Sequence, residues 1–151
     1  MLLFRLTRKR YADDLSGTGA RLNGGRWNSI GTPMVYLASS KSLAVLEVLV
    51  HLPFELIPED FYMATYHVPQ QEILETETEK LPANWKDIPH QNSTKNLGDM
   101  FIKDSKYFLY KVPSIIVNDE YNFLLNPHHP LVKEVKLEKL ESFIFDTRLK
   151  G

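Results

Sequence analysis

The chain has 151 residues, a formal net charge of -1, 43% hydrophobic residues and no cysteine. That length suits a single domain, 1–151, with a sizeable core. The missing thiols exclude a disulfide framework, a cysteine nucleophile and a cysteine-bound zinc.

Near-neutral charge argues against direct nucleic-acid binding, which usually shows a basic face; the one basic cluster is Arg8, Lys9 and Arg10. The opening MLLFRLTRKR is too short for a signal-peptide core. No apolar run reaches the roughly 18 residues of a membrane span. The expectation is a soluble, cytoplasmic protein with no membrane contact.

In chain order, residues 1–6 read as a first strand and residues 7–32 as a long loop with one helical turn. Five of the seven glycines (Gly17, Gly19, Gly24, Gly25 and Gly31) lie in that loop. Loops of this length are functional or disordered, and Trp27 with its neighbouring arginines argues against disorder. Residues 34–38 read as a strand. Ser39 or Ser40 can cap a helix running to about His51, which Pro53 stops. Residues 61–68 are rich in β-formers, 72–80 read as a solvated edge, and 82–92 as a loop.

A helix is predicted over 93–108 from apolar positions at Leu97, Met100, Phe101 and Tyr107, despite Gly98. Short strands are predicted at 109–111 and 115–117, a turn-rich loop at 121–130, and closing strands at 132–140 and 143–146. Strands and helices do not alternate regularly, which speaks against a doubly wound parallel sheet. The predicted class is α+β, compact, with mixed sheets.

One residue breaks its surroundings. From Leu43 to Val50 every residue is apolar except Glu47. Helical spacing puts Leu43, Ala44, Val50 and His51 on the same side as that carboxylate. An unpaired buried carboxylate is costly or protonated, so the chain must give it a partner cation or use it chemically. Arg26, in the glycine-rich loop, and Arg5, in the first apolar segment, are the upstream candidates. The plainer alternative is an ion pair that anchors the helix.

Other signals are weaker. His128–His129 lies between Pro127 and Pro130 with no carboxylate at ligand spacing, so a rigid loop is preferred to a metal site and no metal ligand is assigned. Gly17 and Gly19 lack the third glycine and the strand–turn–helix context of a dinucleotide fingerprint. Ser114 follows Pro113 without a nucleophile-elbow pattern, and ordinary turn chemistry is its plain alternative. Asn122 and Asn126 read as loop stabilisers, the second as a turn former before proline.

The segments FRLT (4–7), GGRWN (24–28), VYLASS (35–40), LAVLEVLVH (43–51), VPSIIV (112–117), NFLLNPHHP (122–130) and FDTRL (145–149) resemble, in content and order, those of the RES domain family. That family comprises toxins of bacterial toxin–antitoxin pairs. The resemblance implies a fold similar to the ADP-ribosyltransferase core, with NAD as substrate and no further cofactor. It implies silencing by an Xre-type helix-turn-helix antitoxin, and it allows a homodimer within that complex. Carried over by motif, the functional residues fall on Arg5, Arg26, Tyr36, Glu47 and Ser114.

Cleavage of the nicotinamide–ribose bond passes through an oxocarbenium-like state. In this reading Glu47 supplies the negative charge near the ribose, and Arg5 and Arg26 grip the pyrophosphate with forked hydrogen bonds. Tyr36 stacks on nicotinamide, and Ser114 bonds a ribose hydroxyl or holds Glu47. The enzyme is then an NAD glycohydrolase or phosphorylase. Alternatives are an ADP-ribosyltransferase acting on a macromolecule, or a non-catalytic module that holds a nucleotide or partner, with the acidic 72–79 segment against a basic surface. A ribonuclease-type toxin is disfavoured by the charge balance.

Overall fold

The computed structural model describes residues 1–56 and 58–150. Among the described residues, seven strands form one sheet: β1 (Leu2–Arg8), β2 (Val35–Ala38), β3 (Phe61–His67), β4 (Ile73–Glu75), β5 (Leu109–Pro113), β6 (Tyr121–Leu125) and β7 (Lys136–Ser142). Three helices accompany them: α1 (Thr18–Asn23), α2 (Lys41–Leu49) and α3 (Asn92–Asp104). The sheet runs β4-β5-β6-β2-β1-β3-β7, with β4 parallel to β5 and every other neighbour antiparallel. The α+β class with a mixed sheet is as predicted.

Alternation sorts the side chains onto two faces. Leu3, Ala64, Tyr66, Val35, Leu37, Leu109, Phe123 and Leu125 bury one face. On the other, α2 covers Leu6, Ala38 and Met63 through Leu43, Ala44 and Leu49. Beside it, α3 and Trp27 cover Tyr110, Val112 and Leu124 through Phe101 and Ile102. The Ser40 hydroxyl caps α2 by accepting from the Leu43 N–H at 3.1 Å, a bond of the kind that stabilises a helix by about 1 kcal/mol.

The sheet parts at its centre. β1 and β3 pair over their whole length, from Leu2↔His67 to Arg8↔Phe61. β1 and β2 pair only at Phe4↔Ala38. Beyond that contact Arg5 to Thr7 and Val35 to Leu37 are not paired with each other, and Arg5, Val35 and Tyr36 line a small gap there.

Several local expectations are corrected. Residues 121–125 are not loop but β6, a strand between β2 and β5. Its Phe123, Leu124 and Leu125 are buried on both faces, so it carries no alternation for the sequence to reveal. Residues 115–117 form no strand; they lie in the turn between β5 and β6. Residues 130–134 form a 3-10 turn begun by Pro130 before β7 starts. Phe143 and Phe145 stand after β7 rather than in a strand, edge-on to each other, with Phe145 also edge-on to Phe61. The acidic segment contains the short edge strand β4.

Candidate active site

The GGRWN segment is a knot of buried hydrogen bonds that presents Arg26. Asn28 is fully buried, and its amide donates to the carbonyls of Ala20, Ser29 and Thr32 at 2.8, 3.2 and 3.0 Å. Its Oδ1 accepts from the Tyr36 hydroxyl at 2.7 Å, and that hydroxyl accepts from the Trp27 N–H at 3.1 Å. Gly25 lies against this pair: a Cβ there would stand 2.7 Å from the Tyr36 hydroxyl and 2.9 Å from Asn28 Oδ1. The Thr94 hydroxyl of α3 donates to the Arg26 carbonyl at 2.6 Å. The backbone on both sides of Arg26 is therefore clamped.

The Arg26 guanidinium donates to the carbonyls of Trp85 at 3.0 Å and Asp87 at 2.9 Å. Burial lowers its pKa, while the nearby charges of Glu47 and Asp87 and the Tyr36 phenol raise it. It remains a cation held at the edge of the 82–92 loop. His90, in the same loop, has a buried Nδ1 with no partner among the described residues. Burial, Lys95, Arg26 and His51 together push its pKa below the usual value.

Glu47 is half-buried on α2. Its Oε1 accepts from the Asn122 amide at 2.7 Å. Among the described residues no lysine or arginine lies within ion-pair distance of it. The partner cation anticipated for this carboxylate is replaced by a neutral amide, with Arg26 acting on it at longer range. Tyr36 also lies in the field of both Arg26 and Glu47, and burial raises its pKa well above the ordinary value. The two bonds to its hydroxyl leave the ring as the part of Tyr36 free to meet a ligand.

Arg5 comes from the opposite side of the gap. Its pairing with Ala64 places it on the Leu3–Tyr66 face, yet it lines the same opening as Tyr36, with Asp14, Gly17, Thr18 and Met34. Its guanidinium donates to the Asp14 carbonyl at 3.1 Å. The opening measures about 120 Å³. A larger hollow of about 300 Å³ lies between α2 and β7, lined by Lys41, Val45, Met63 and Phe143, and holds none of these residues.

Ser114 is buried, and its hydroxyl oxygen accepts from the N–H groups of Ile116 at 3.0 Å and Val117 at 3.2 Å. The structure thus places Arg26, Tyr36 and Glu47 within electrostatic reach of one another, sets Arg5 beside Tyr36 at the gap, and leaves Ser114 in the β5–β6 turn. Asn122 was read from sequence as a loop stabiliser. Its partner lies 75 residues away, so no local pattern carries the signal. Asn28 was visible inside the GGRWN motif. Among the described residues no group of three or more His, Asp or Glu is placed to hold a metal ion, and no helix is long and apolar enough to cross a membrane.

Comparison with known proteins gives concordant matches. The RES domain family model matches residues 2–146. The chain is 38% identical to the Prs ADP-ribosylating toxin of Sphingobium sp. (strain YBL2), over 91% of this chain and 88% of that protein. It is 40% identical to Toxin Res of Photorhabdus laumondii, over 99% of this chain and 97% of the relative. It is 41% identical to Toxin Res of Pseudomonas putida, over 99% of each. Its fold is similar to a chain in the crystal structure of the M. tuberculosis MbcT-MbcA toxin-antitoxin complex, with a TM-score of 0.75 at 21% identity, covering 94% of this chain and 83% of that one.

Proposed function

The chain belongs to the RES domain family, and from that premise we propose that it is the toxin of a toxin–antitoxin pair and that it breaks the nicotinamide–ribose bond of NAD. The observation that carries the chemical half of this reading is the meeting of Glu47, Arg26 and Tyr36. A carboxylate with no cation in contact stands in the field of an arginine and an aromatic ring.

Such a set matches the reaction. As the C–N bond breaks, its electron pair leaves with the nicotinamide nitrogen, whose positive charge is thereby cancelled. The ribose carbon becomes an oxocarbenium ion. Glu47 opposes that new charge, and the ring of Tyr36 stacks on nicotinamide in the gap. Arg26 and Arg5 supply the cations for the pyrophosphate, from two sides. An acceptor lone pair then closes on the ribose carbon; if water attacks, its proton goes to solvent. The gap is smaller than the roughly 300–1,000 Å³ of ligand pockets, so it takes one end of the dinucleotide while the rest lies along the loops that carry Arg26. Ser114, with its oxygen engaged by the turn, acts by holding the β5–β6 connection beside Asn122.

The test is NAD turnover by the purified protein and by Glu47→Gln, with products identified in the presence and absence of phosphate. Turnover should fall by about 10²–10³ in the variant, the usual worth of a charge placed against a transition state, with the fold unchanged. Full turnover in a folded Glu47→Gln protein removes the role. Transfer of ADP-ribose to a protein is a second reading, favoured by the name of the Sphingobium relative, an ADP-ribosylating toxin. The same assay separates the two if labelled ADP-ribose is followed into protein.

A further inference from the structure

We propose that Asn122 is the positioning residue for Glu47: it fixes one carboxylate oxygen without neutralising the charge, so that the other oxygen faces the reacting ribose. The inference rests on the NAD-cleaving reading above and adds a residue to it.

The geometry of Asn122 is set by the sheet. Its backbone pairs with Ala38 on one side and Val112 on the other. It is two residues from Leu124 and so shares its face, the face covered by α2 and α3. The backbone pairing fixes the direction in which this side chain leaves the sheet, and its amide donates to Glu47 Oε1 at 2.7 Å. α2 itself is pinned by the Ser40 cap and by buried Leu43, Ala44 and Leu49. Both ends of the bond therefore sit on rigid elements, as a constellation accurate enough for catalysis requires.

The choice of donor has a chemical consequence. A lysine or arginine in contact would hold the carboxylate equally well, but it would also cancel the charge that the oxocarbenium ion needs. A neutral amide orients the group and leaves its full negative charge available. Arg26, whose charge and that of Glu47 act on each other, instead donates to the Trp85 and Asp87 carbonyls. Glu47 Oε2 has no hydrogen-bond partner among the described residues and is the oxygen left for the substrate.

The experiment measures kcat and KM for NAD across pH, with thermal stability alongside, for wild type, Asn122→Ala, Asn122→Asp and Glu47→Gln. Asn122→Ala should lower kcat by up to about 100-fold, the cost of a small misplacement of a reacting group, with KM unchanged. Asn122→Asp keeps the shape and replaces the donor by an acceptor. Two carboxylates at that distance must share a proton. Its rate should therefore fall as pH rises through the pKa of the shared proton, in a range where wild type does not fall.

Wild-type kcat in folded Asn122→Ala overturns the proposal, as does a rise in KM alone. If Asn122→Ala does not fold, the isosteric Asn122→Asp decides, and a pH profile parallel to wild type overturns the proposal. Glu47→Gln separates the two levels. If it keeps turnover, the reading of Glu47 fails and the role of Asn122 with it. If it is inactive while both Asn122 variants match wild type, only the positioning role fails.

Discussion

Tyr36 shows how one side chain serves structure and chemistry with different atoms. Its hydroxyl joins Asn28 and the Trp27 N–H, and thereby fixes the loop that carries Arg26; Tyr36 also lines the gap with Arg5. Tyr36→Phe keeps the ring and removes the link, leaving buried polar groups short of a partner. We expect a loss of about 1–3 kcal/mol in stability, read as a lower melting temperature, with a smaller loss of NAD turnover than Tyr36→Ala. Equal losses of turnover in the two variants would transfer the catalytic contribution from ring to hydroxyl. His90 gives a pH prediction. Its folded pKa is lowered from 6.5 by burial, by Lys95 and Arg26, and by His51. The folded state thus binds fewer protons than the unfolded state, so stability drops as pH falls from about 6.5 through the lowered value. His90→Gln is neutral throughout and should lose less melting temperature between neutral and mildly acid pH than wild type. Identical pH slopes for the two proteins would show that the surrounding cations do not act on this ring.

At the scale of elements, the contact between α3 and the GGRWN loop decides where Arg26 stands. Gly98 lies at that contact: a Cβ there would overlap the Trp27 carbonyl oxygen. The helix tolerates a poor helix former mid-run because only glycine lets the loop lie flat on it. Gly98→Ala should improve helix propensity by about 1 kcal/mol and still destabilise the protein, since overpacking costs about 1–3 kcal/mol. It should also weaken NAD binding by moving Arg26; a gain in melting temperature would show that the loop shifts freely. Such contacts mark the limit of what is legible in the sequence. α2 was legible because a cap residue precedes an apolar run, and Glu47 because it interrupts that run. β6 was not, since FLL buried on both faces shows neither period and the flanking asparagines look like turn formers. Residues 130–134 became a 3-10 turn rather than strand because Pro130 begins it. Arg5 was legible as a charge in an apolar segment, but the gap beside it was not, since it depends on β1 and β2 meeting at a single register pair. Asn122 meets Glu47 only through the assembled sheet.

On the scale of the whole molecule, the candidate site lies where the sheet divides, and cations approach it from two sides. Arg5 lines the gap with Tyr36, and Arg26 and Lys95 lie near enough to each other for both charges to act on His90. The chain as a whole is nearly neutral, at -1, so this local positive field is not diluted into a general basic surface. An anionic ligand is its natural complement, whether the pyrophosphate of NAD or an acidic segment of a partner protein. On the proposed reading the chain drains NAD and must be blocked inside the cell, and the resemblance implies that an Xre-type helix-turn-helix antitoxin does so. The simplest mode is that a partner carboxylate lies against the arginines through charge-assisted hydrogen bonds and excludes NAD. Occlusion of this kind is reciprocal: a saturating, uncleavable NAD analogue should weaken antitoxin binding by the same factor by which antitoxin weakens analogue binding. Changing Arg26 to Ala should weaken both ligands, and removing the partner segment that enters the gap should restore NAD breakdown while the two proteins stay bound through their other contacts. Titrating the analogue into the preformed complex makes the decision. Simultaneous, independent binding of both ligands would place the antitoxin away from the gap, and inhibition would then have to act through the loops that hold Arg26.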